Sequence, residues 1–363
     1  MLFDLVSTDT QPLLSLESEA KNKTTGVSVV ICCHNSAKIL PETLTCLANQ
    51  QTAGSVIYEV IVVDNVSTDG TAQVAERTWP QNHSIPLRVV REPQLGLSYA
   101  RHCGVGAAKY EVISFIDDDN RVCPEWIQLV AEAMSRHPEV GACGGCNEAV
   151  CETSPPGWFA RYQWCYAVGE QWTEPGDITQ TRGYLWGAGL SIRKTAWEQL
   201  MSNGFRSLLV DRKGSSLGAG GDAELCFALR LAGWRLWYEP RLRLRHFITE
   251  RRLNWQYLRM LNRGFGAASV GTDPYEIALR DNRLGIKEWL RRTWCWRTLA
   301  TLKSLVRHPV KLLLSFQRPL ENDPDVLVLE NHWGRLAELL RKCRRYNQSV
   351  REVRQALWRR AGC

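Results

Sequence analysis

The chain has 363 residues, 44% of them hydrophobic and 23% charged, ordinary values for a folded protein and enough for one large α/β domain with appendages or for two domains. Thirteen cysteines, an odd number at irregular spacing, argue against a disulfide framework, and no stretch reaches the roughly 18 uncharged apolar residues of a membrane span. The formal charge of +7 is uneven: residues 281–363 hold 18 Lys+Arg against 8 Asp+Glu, net +10, and residues 1–280 hold 27 against 30, net −3. A basic tail on a near-neutral body implies an anionic lipid surface or another polyanion as the tail's partner, and no nucleic acid on the body.

Residues 1–25 are polar and read as a flexible arm, without the basic start and apolar core of a secretory leader. A cytoplasmic, reduced protein is expected. Val27–Cys32 is a β-branched run leading into Cys33-His34-Asn35-Ser36, and Pro41 suits the first turn of a helix with Leu44, Leu47 and Ala48 on one face. Tyr58–Val63 is a second strand, ending in Asp64 and the turn formers Asn65–Gly70. Leu87–Arg91 is a third, and Gly96–Ala108 a helix carrying Arg101. The next strand runs Val112-Ile113-Ser114-Phe115-Ile116 into Asp117-Asp118-Asp119-Asn120, before a helix over Pro124–His137 and a strand over Val140–Cys146. Strands alternating with helices over short links predict an α/β, doubly wound, mostly parallel sheet. The loops after the strands then share its ligand edge.

Three adjacent carboxylates at a strand end repel one another unless a cation joins them. A divalent ion carrying diphosphate oxygens fits, since hard cations take carboxylate and phosphate oxygens together. The alternative is an acidic, solvated turn. Residues 151–186 are rich in aromatics, Gly and Pro, read either as a loop-heavy surface for a polar ligand or as plain packing. Cys143-Gly-Gly-Cys146 has the spacing of a redox or zinc half-site, but no second pair accompanies it, and small buried thiols are the plainer reading. Gly187-Ala188-Gly189 precedes a helix from Thr195, and the Gly-rich Ser215–Gly221 runs directly into Asp222. A strand near Trp234–Tyr238, a turn at Pro240 and an alternating strand Arg241–His246 with its basic side outward complete the body.

Val29–Asn35, Val62–Thr71, Gly96–Arg101, Phe115–Asp119 and Gly221–Leu225, in this order, resemble glycosyltransferase family 2 over about residues 27–265. That resemblance implies the GT-A nucleotide-diphospho-sugar transferase fold, inverting transfer of a sugar from a nucleotide-diphosphate sugar, and a glycan or lipid-linked acceptor. It implies Asp222 as general base, and Asn35, Asp64, Arg101, Asp117 and Asp118 around the nucleotide sugar. Asp117 and Asp119 match the metal-binding pair for Mn²⁺ or Mg²⁺. His246, at a strand end, is a further metal or phosphate contact or else a structural histidine. Gly221 stands where the family usually has Glu, and Gly189 where it usually has Asn. The division expected is 1–25 arm, 26–147 nucleotide-sugar half, 148–280 acceptor half with the base, and 281–363 a helical C-terminal extension.

The chemistry agrees with the resemblance. A departing diphosphate needs its charge neutralised, and the acceptor hydroxyl needs a base on the opposite face of the sugar. A phosphatase with two acids at a strand end would want a small hydroxyl or β-branched residue where Arg121 stands, and gives Asp64 and Asp222 no role. A nucleotidyltransferase would want a Gly-rich basic loop after the first strand. The remaining rival is a catalytically weak nucleotide-sugar-binding protein held at a membrane by its tail. In that tail, Trp, Leu and Val interleave with Lys and Arg over residues 285–318, the composition of a helix lying in a lipid interface, whereas 332–358 fits packing better. A peripheral position on the inner face of the plasma membrane follows from that reading.

Overall fold

The computed structural model describes residues 25–54, 56–209, 219–280, 290–307 and 321–360. The N-terminal arm, Ser215–Gly218 of the Gly-rich segment, and residues 285–289 and 308–318 of the basic stretch lie outside them. The chain begins β1 (Thr25–Cys33), α1 (Leu40–Ala48), β2 (Val56–Asp64), α2 (Thr71–Thr78), β3 (Leu87–Arg91), α3 (Leu97–Ala107) and β4 (Val112–Phe115). These four strands are parallel, in the order β3-β2-β1-β4. β1, β2 and β4 are mostly apolar without alternation because both faces are covered, with Val27, Val29 and Ile31 in one core and Val30 in the other, whereas the edge strand β3 carries Arg88 and Arg91 and is only partly buried. The chain moves outward from β1 to β3 and returns to β1's other side at β4. That reversal opens a crevice at the C-terminal ends of β1 and β4, where such sheets bind ligands.

The second half adds β5 (Asn120–Val122), α4 (Trp126–Arg136), β6 (Val140–Cys151), α5 (Phe159–Tyr162), β7 (Gly176–Asp177), β8 (Ser191–Arg193), α6 (Lys194–Ser202), α7 (Gly221–Leu231) and β9 (Arg235–Ile248). The sheet continues β4-β8-β6-β9-β5, with β7 on β9, and β8 antiparallel to both its neighbours. β6 crosses residues 147 and 148, so both halves share one sheet.

Where a turn at Pro240 is expected, β9 runs unbroken through it. Between Gly144↔Tyr238 and Cys146↔Arg243 the register jumps, so Pro240 falls in an irregularity where its missing N–H costs no ladder bond. Of the two glycines between Cys143 and Cys146, Gly145 serves this pairing, since a Cβ on it would lie 1.8 Å from the Leu242 carbonyl oxygen. Cys143 is buried, its thiol pushed up to about 12 by desolvation.

α8 (Trp255–Leu279), α9 (Trp294–Leu305), α10 (Pro324–Arg341) and α11 (Tyr346–Arg354) form the C-terminal helical layer. α10 crosses α8 with backbones in contact: a Cβ on Gly266 would lie 1.8 Å from the Asn331 carbonyl oxygen, and one on Gly334 1.9 Å from that of Arg263. Glu330 pairs with Arg259 and Arg263 across the crossing, at 2.7 and 2.6 Å.

Candidate active site

The loops after β1 and β2 are tied to each other. Asn35 adopts φ 56°, a left-handed conformation that Asn tolerates. Its Oδ1 accepts from the Thr68 N–H at 2.8 Å, and its own N–H donates to Ser67 Oγ at 3.0 Å. Asp64, at the tip of β2, accepts from the Ser67 N–H at 3.1 Å. It lines a cavity of about 790 Å³ with Ser67, Thr68, Thr71, Arg91 and Glu92. Asn65, which nothing in the linear sequence singles out, holds the next loop in place. Its Oδ1 accepts from the Gly96 N–H at 2.8 Å, and its Nδ2 donates to the Glu92 and Gln94 carbonyls at 3.1 and 2.7 Å. Gly96 (φ 149°) opens α3, the helix that carries Arg101.

Beyond β4 the three acids diverge. Burial, then the charge of Asp119, raises the Asp117 carboxyl, and Arg101 opposes the shift. The same two causes push Asp118 up to about 7, although its carboxyl accepts from Ser36 Oγ. Asp118 is thus turned toward the loop after β1, and its carbonyl accepts from Thr43 Oγ1 at 2.7 Å. Asp119 Oδ2 lies 3.3 Å from His246 Nε2 and 3.2 Å from Arg252 Nη1. β5 pairs Asn120 with His246 on β9, which brings His246 to the acids. Buried Asn120 braces the turn when its amide is oriented to donate to Asp119 Oδ1 (3.2 Å) and to accept from the Asp117 N–H (3.1 Å). Arg252, in the turn before α8, is a site residue that the linear sequence does not single out.

Asp222 stands in the first turn of α7 and pairs with Arg101 at 2.8 Å. The Arg101 guanidinium lies over the Phe115 ring at 5.4 Å, and its pKa is raised: burial lowers it, but Asp222 and Asp117 outweigh that. Arg101 is therefore the cation between the acid after β4 and the acid of α7. Gly187 explains its own identity, because a Cβ there would lie 2.2 Å from Asp222 Oδ2. Gly189 has φ 75°, which disfavours any residue with a side chain, and a Cβ would press on Leu244 and Trp126. At Gly221 a Cβ meets nothing within 4 Å.

Glu224, two residues after Asp222, has a different task. It is buried and accepts from Ser207 Oγ, from the Leu208 N–H at 2.6 Å and from Tyr275 Oη at 2.8 Å. Its carboxyl is raised by burial against the pull of those donors. It joins α7 to α8 and faces no crevice.

Donor chemistry at this edge fits a divalent ion. His246 is buried, with its Nδ1 lacking a hydrogen-bond partner among the described residues, and its Nε2 faces a carboxylate. The desolvated acids beside it repel one another, which a divalent charge would relieve. Among the described residues no three His, Cys, Asp or Glu side chains already form a metal cage. A site of one or two protein ligands completed by phosphate oxygens and water is the ordinary arrangement for Mg²⁺ beside a nucleotide.

Residues 28–194 match the family model of glycosyl transferase family 2. Among curated proteins, chondroitin synthase of Escherichia coli is 34% identical over 121 residues, 33% of this chain and 17% of that one. The succinoglycan biosynthesis protein ExoM of Rhizobium meliloti is 23% identical over 239 residues, 65% of this chain and 72% of that one. The chain thus spans less than a fifth of the synthase. The mannosyltransferase PcManGT of Pyrobaculum calidifontis, solved with GDP-Man and Mn²⁺, superimposes with a TM-score of 0.51 at 18% identity, covering 87% of this chain and 86% of that one. The motif order, the sheet and these likenesses agree: residues 28–194 are similar to glycosyltransferase family 2, and the chain is built on the GT-A fold.

Proposed function

We propose that this enzyme moves a sugar from a nucleotide-diphosphate sugar to a hydroxyl of a growing glycan or lipid-linked acceptor, with inversion and with a divalent metal, in polysaccharide or glycolipid synthesis. The observation that carries the reading is Arg101, paired with Asp222 and opposing the shift of Asp117, which joins the nucleotide edge of the sheet to the acid of α7. Asp64 and its cavity at the tip of β2 take the nucleoside, with Asn35 shaping the neighbouring loop. Asp119 and His246, with Asp117 beside them, hold the metal, and Arg252 offers a second cation to the diphosphate. When bound, that ion neutralises charge on the departing diphosphate as a Lewis acid. Asp222, oriented by Arg101 and by the close approach of Gly187, takes the acceptor's proton from the face opposite the leaving group. The names of the relatives support a polysaccharide acceptor, and the GDP-Man and Mn²⁺ of PcManGT support the donor class and the metal.

The test is a thermal-shift screen of common sugar nucleotides with Mn²⁺ or Mg²⁺, since a ligand that binds the folded state raises stability by mass action. One donor should stabilise the wild type only with metal, and Asp119→Asn should lose that metal-supported shift while melting normally alone. A donor shift that survives both EDTA and Asp119→Asn would remove the metal from the reading.

A further inference from the structure

α9 is turned the wrong way for a helix whose only neighbour is its own protein. A helix on a globular surface normally buries its apolar stripe and wets its polar one. Here the buried positions are Thr298, Thr301 and Leu305, and Thr298 Oγ1 has no hydrogen-bond partner among the described residues. The adjoining, outward side presents Trp296 at 47% exposure, Leu299 at 61%, Leu302 at 43% and, just past the helix end, Val306 at 68%. At 3.6 residues per turn these four fall within an arc of about 120°. Leu290, before the helix, is also exposed. Residues 290–307 contain five Lys and Arg and no Asp or Glu. Lys303 and Arg307 lie toward one edge of the stripe, where their stems can lie along it with the charges outward. Beside the first turn, Arg291, Arg292, Trp296, Arg297 and Ala300 line a cavity of about 300 Å³. No helix among the described residues is long and apolar enough to cross a membrane.

We infer that this face of α9 is a docking surface for an anionic phospholipid membrane. Trp296, Leu299, Leu302 and Val306 enter the interface, and the arginine-lined cavity receives a lipid phosphate. The charge decides the occupant. A second copy would set five cations against five like charges, whereas an anionic bilayer supplies both the apolar layer and the phosphates. This surface is separate from the donor site, so its test stands apart from the test of the transfer chemistry.

The experiment is flotation of the full chain with vesicles of phosphatidylcholine, with and without phosphatidylglycerol. The chain should float with the anionic vesicles only, and binding should fade as salt screens the charges. The double variant Leu299→Asp, Val306→Asp should lose at least about tenfold in binding, since it places charge in the stripe that meets lipid. Its melting temperature and donor hydrolysis should be unchanged. Lys303→Glu with Arg307→Glu should lose binding similarly, and it tests the same surface should the first variant fail to fold. No flotation, equal flotation with both vesicles, or full binding by the folded variants would overturn the inference. So would stabilisation by inorganic phosphate without flotation, or self-association that the double variant abolishes without flotation.

Discussion

Two glycines near Asp222, the proposed base, have opposite constraints. Gly187 lies against Asp222, and a methyl group there would occupy the space of the carboxylate oxygens and push Asp222 off Arg101. Gly187→Ala should therefore cut transfer by about 10²-fold or more, as misplaced catalytic groups do. Gly221 has open space, so Gly221→Ala should fold normally and gain up to about 1 kcal/mol by restricting the unfolded chain. Transfer rates and urea melts of the two variants check this pair, and equal loss in both would show that space is not what distinguishes them. The departure of Gly221 from the family's usual Glu is visible in the sequence, but the open space around it is not. Asn65, Asn120 and Arg252 are equally hidden there. Each acts through a partner fixed by strand pairing or loop closure, and a turn-forming Asn or one Arg among 45 Lys and Arg carries no mark of it in the linear chain.

At the level of elements, α7 divides two acids between two tasks. Asp222 and Glu224 are two residues apart and so face different sides of the helix. In the linear sequence, charge alone does not separate the two. The hydrogen bonds do. Glu224→Ala should leave the buried Tyr275 Oη and the half-buried Leu208 N–H without their acceptor and cost about 2–4 kcal/mol. Asp222→Asn keeps a hydrogen-bond acceptor for Arg101 on a partly exposed side chain and should cost less. Chemical denaturation of the two variants reads the difference, and a Glu224→Ala protein as stable as wild type would contradict this role. The strands β1, β2 and β4 are legible in the sequence because doubly covered strands are nearly continuous apolar runs. β9 is not, because a proline normally ends a strand, and only the register jump against β6 shows why this one does not.

At the scale of the whole molecule, the order of the motifs along the chain foretells which loops meet, since a doubly wound sheet collects its strand ends on one edge. It does not foretell how the C-terminal helices attach. The α8–α10 crossing rests on Gly266 and Gly334, which look like helix-weakening residues until the two backbones are seen in contact. In the proposed function, Asp222 performs the chemistry while the acids after β2 and β4 bind the donor. The direct measurement is turnover and affinity of Asp222→Asn with the donor found by screening, in the presence of metal. The variant should bind that donor as wild type does and hydrolyse or transfer it about 10²–10⁴ times more slowly. Near-normal turnover by Asp222→Asn, or loss of donor binding with it, would contradict the assignment.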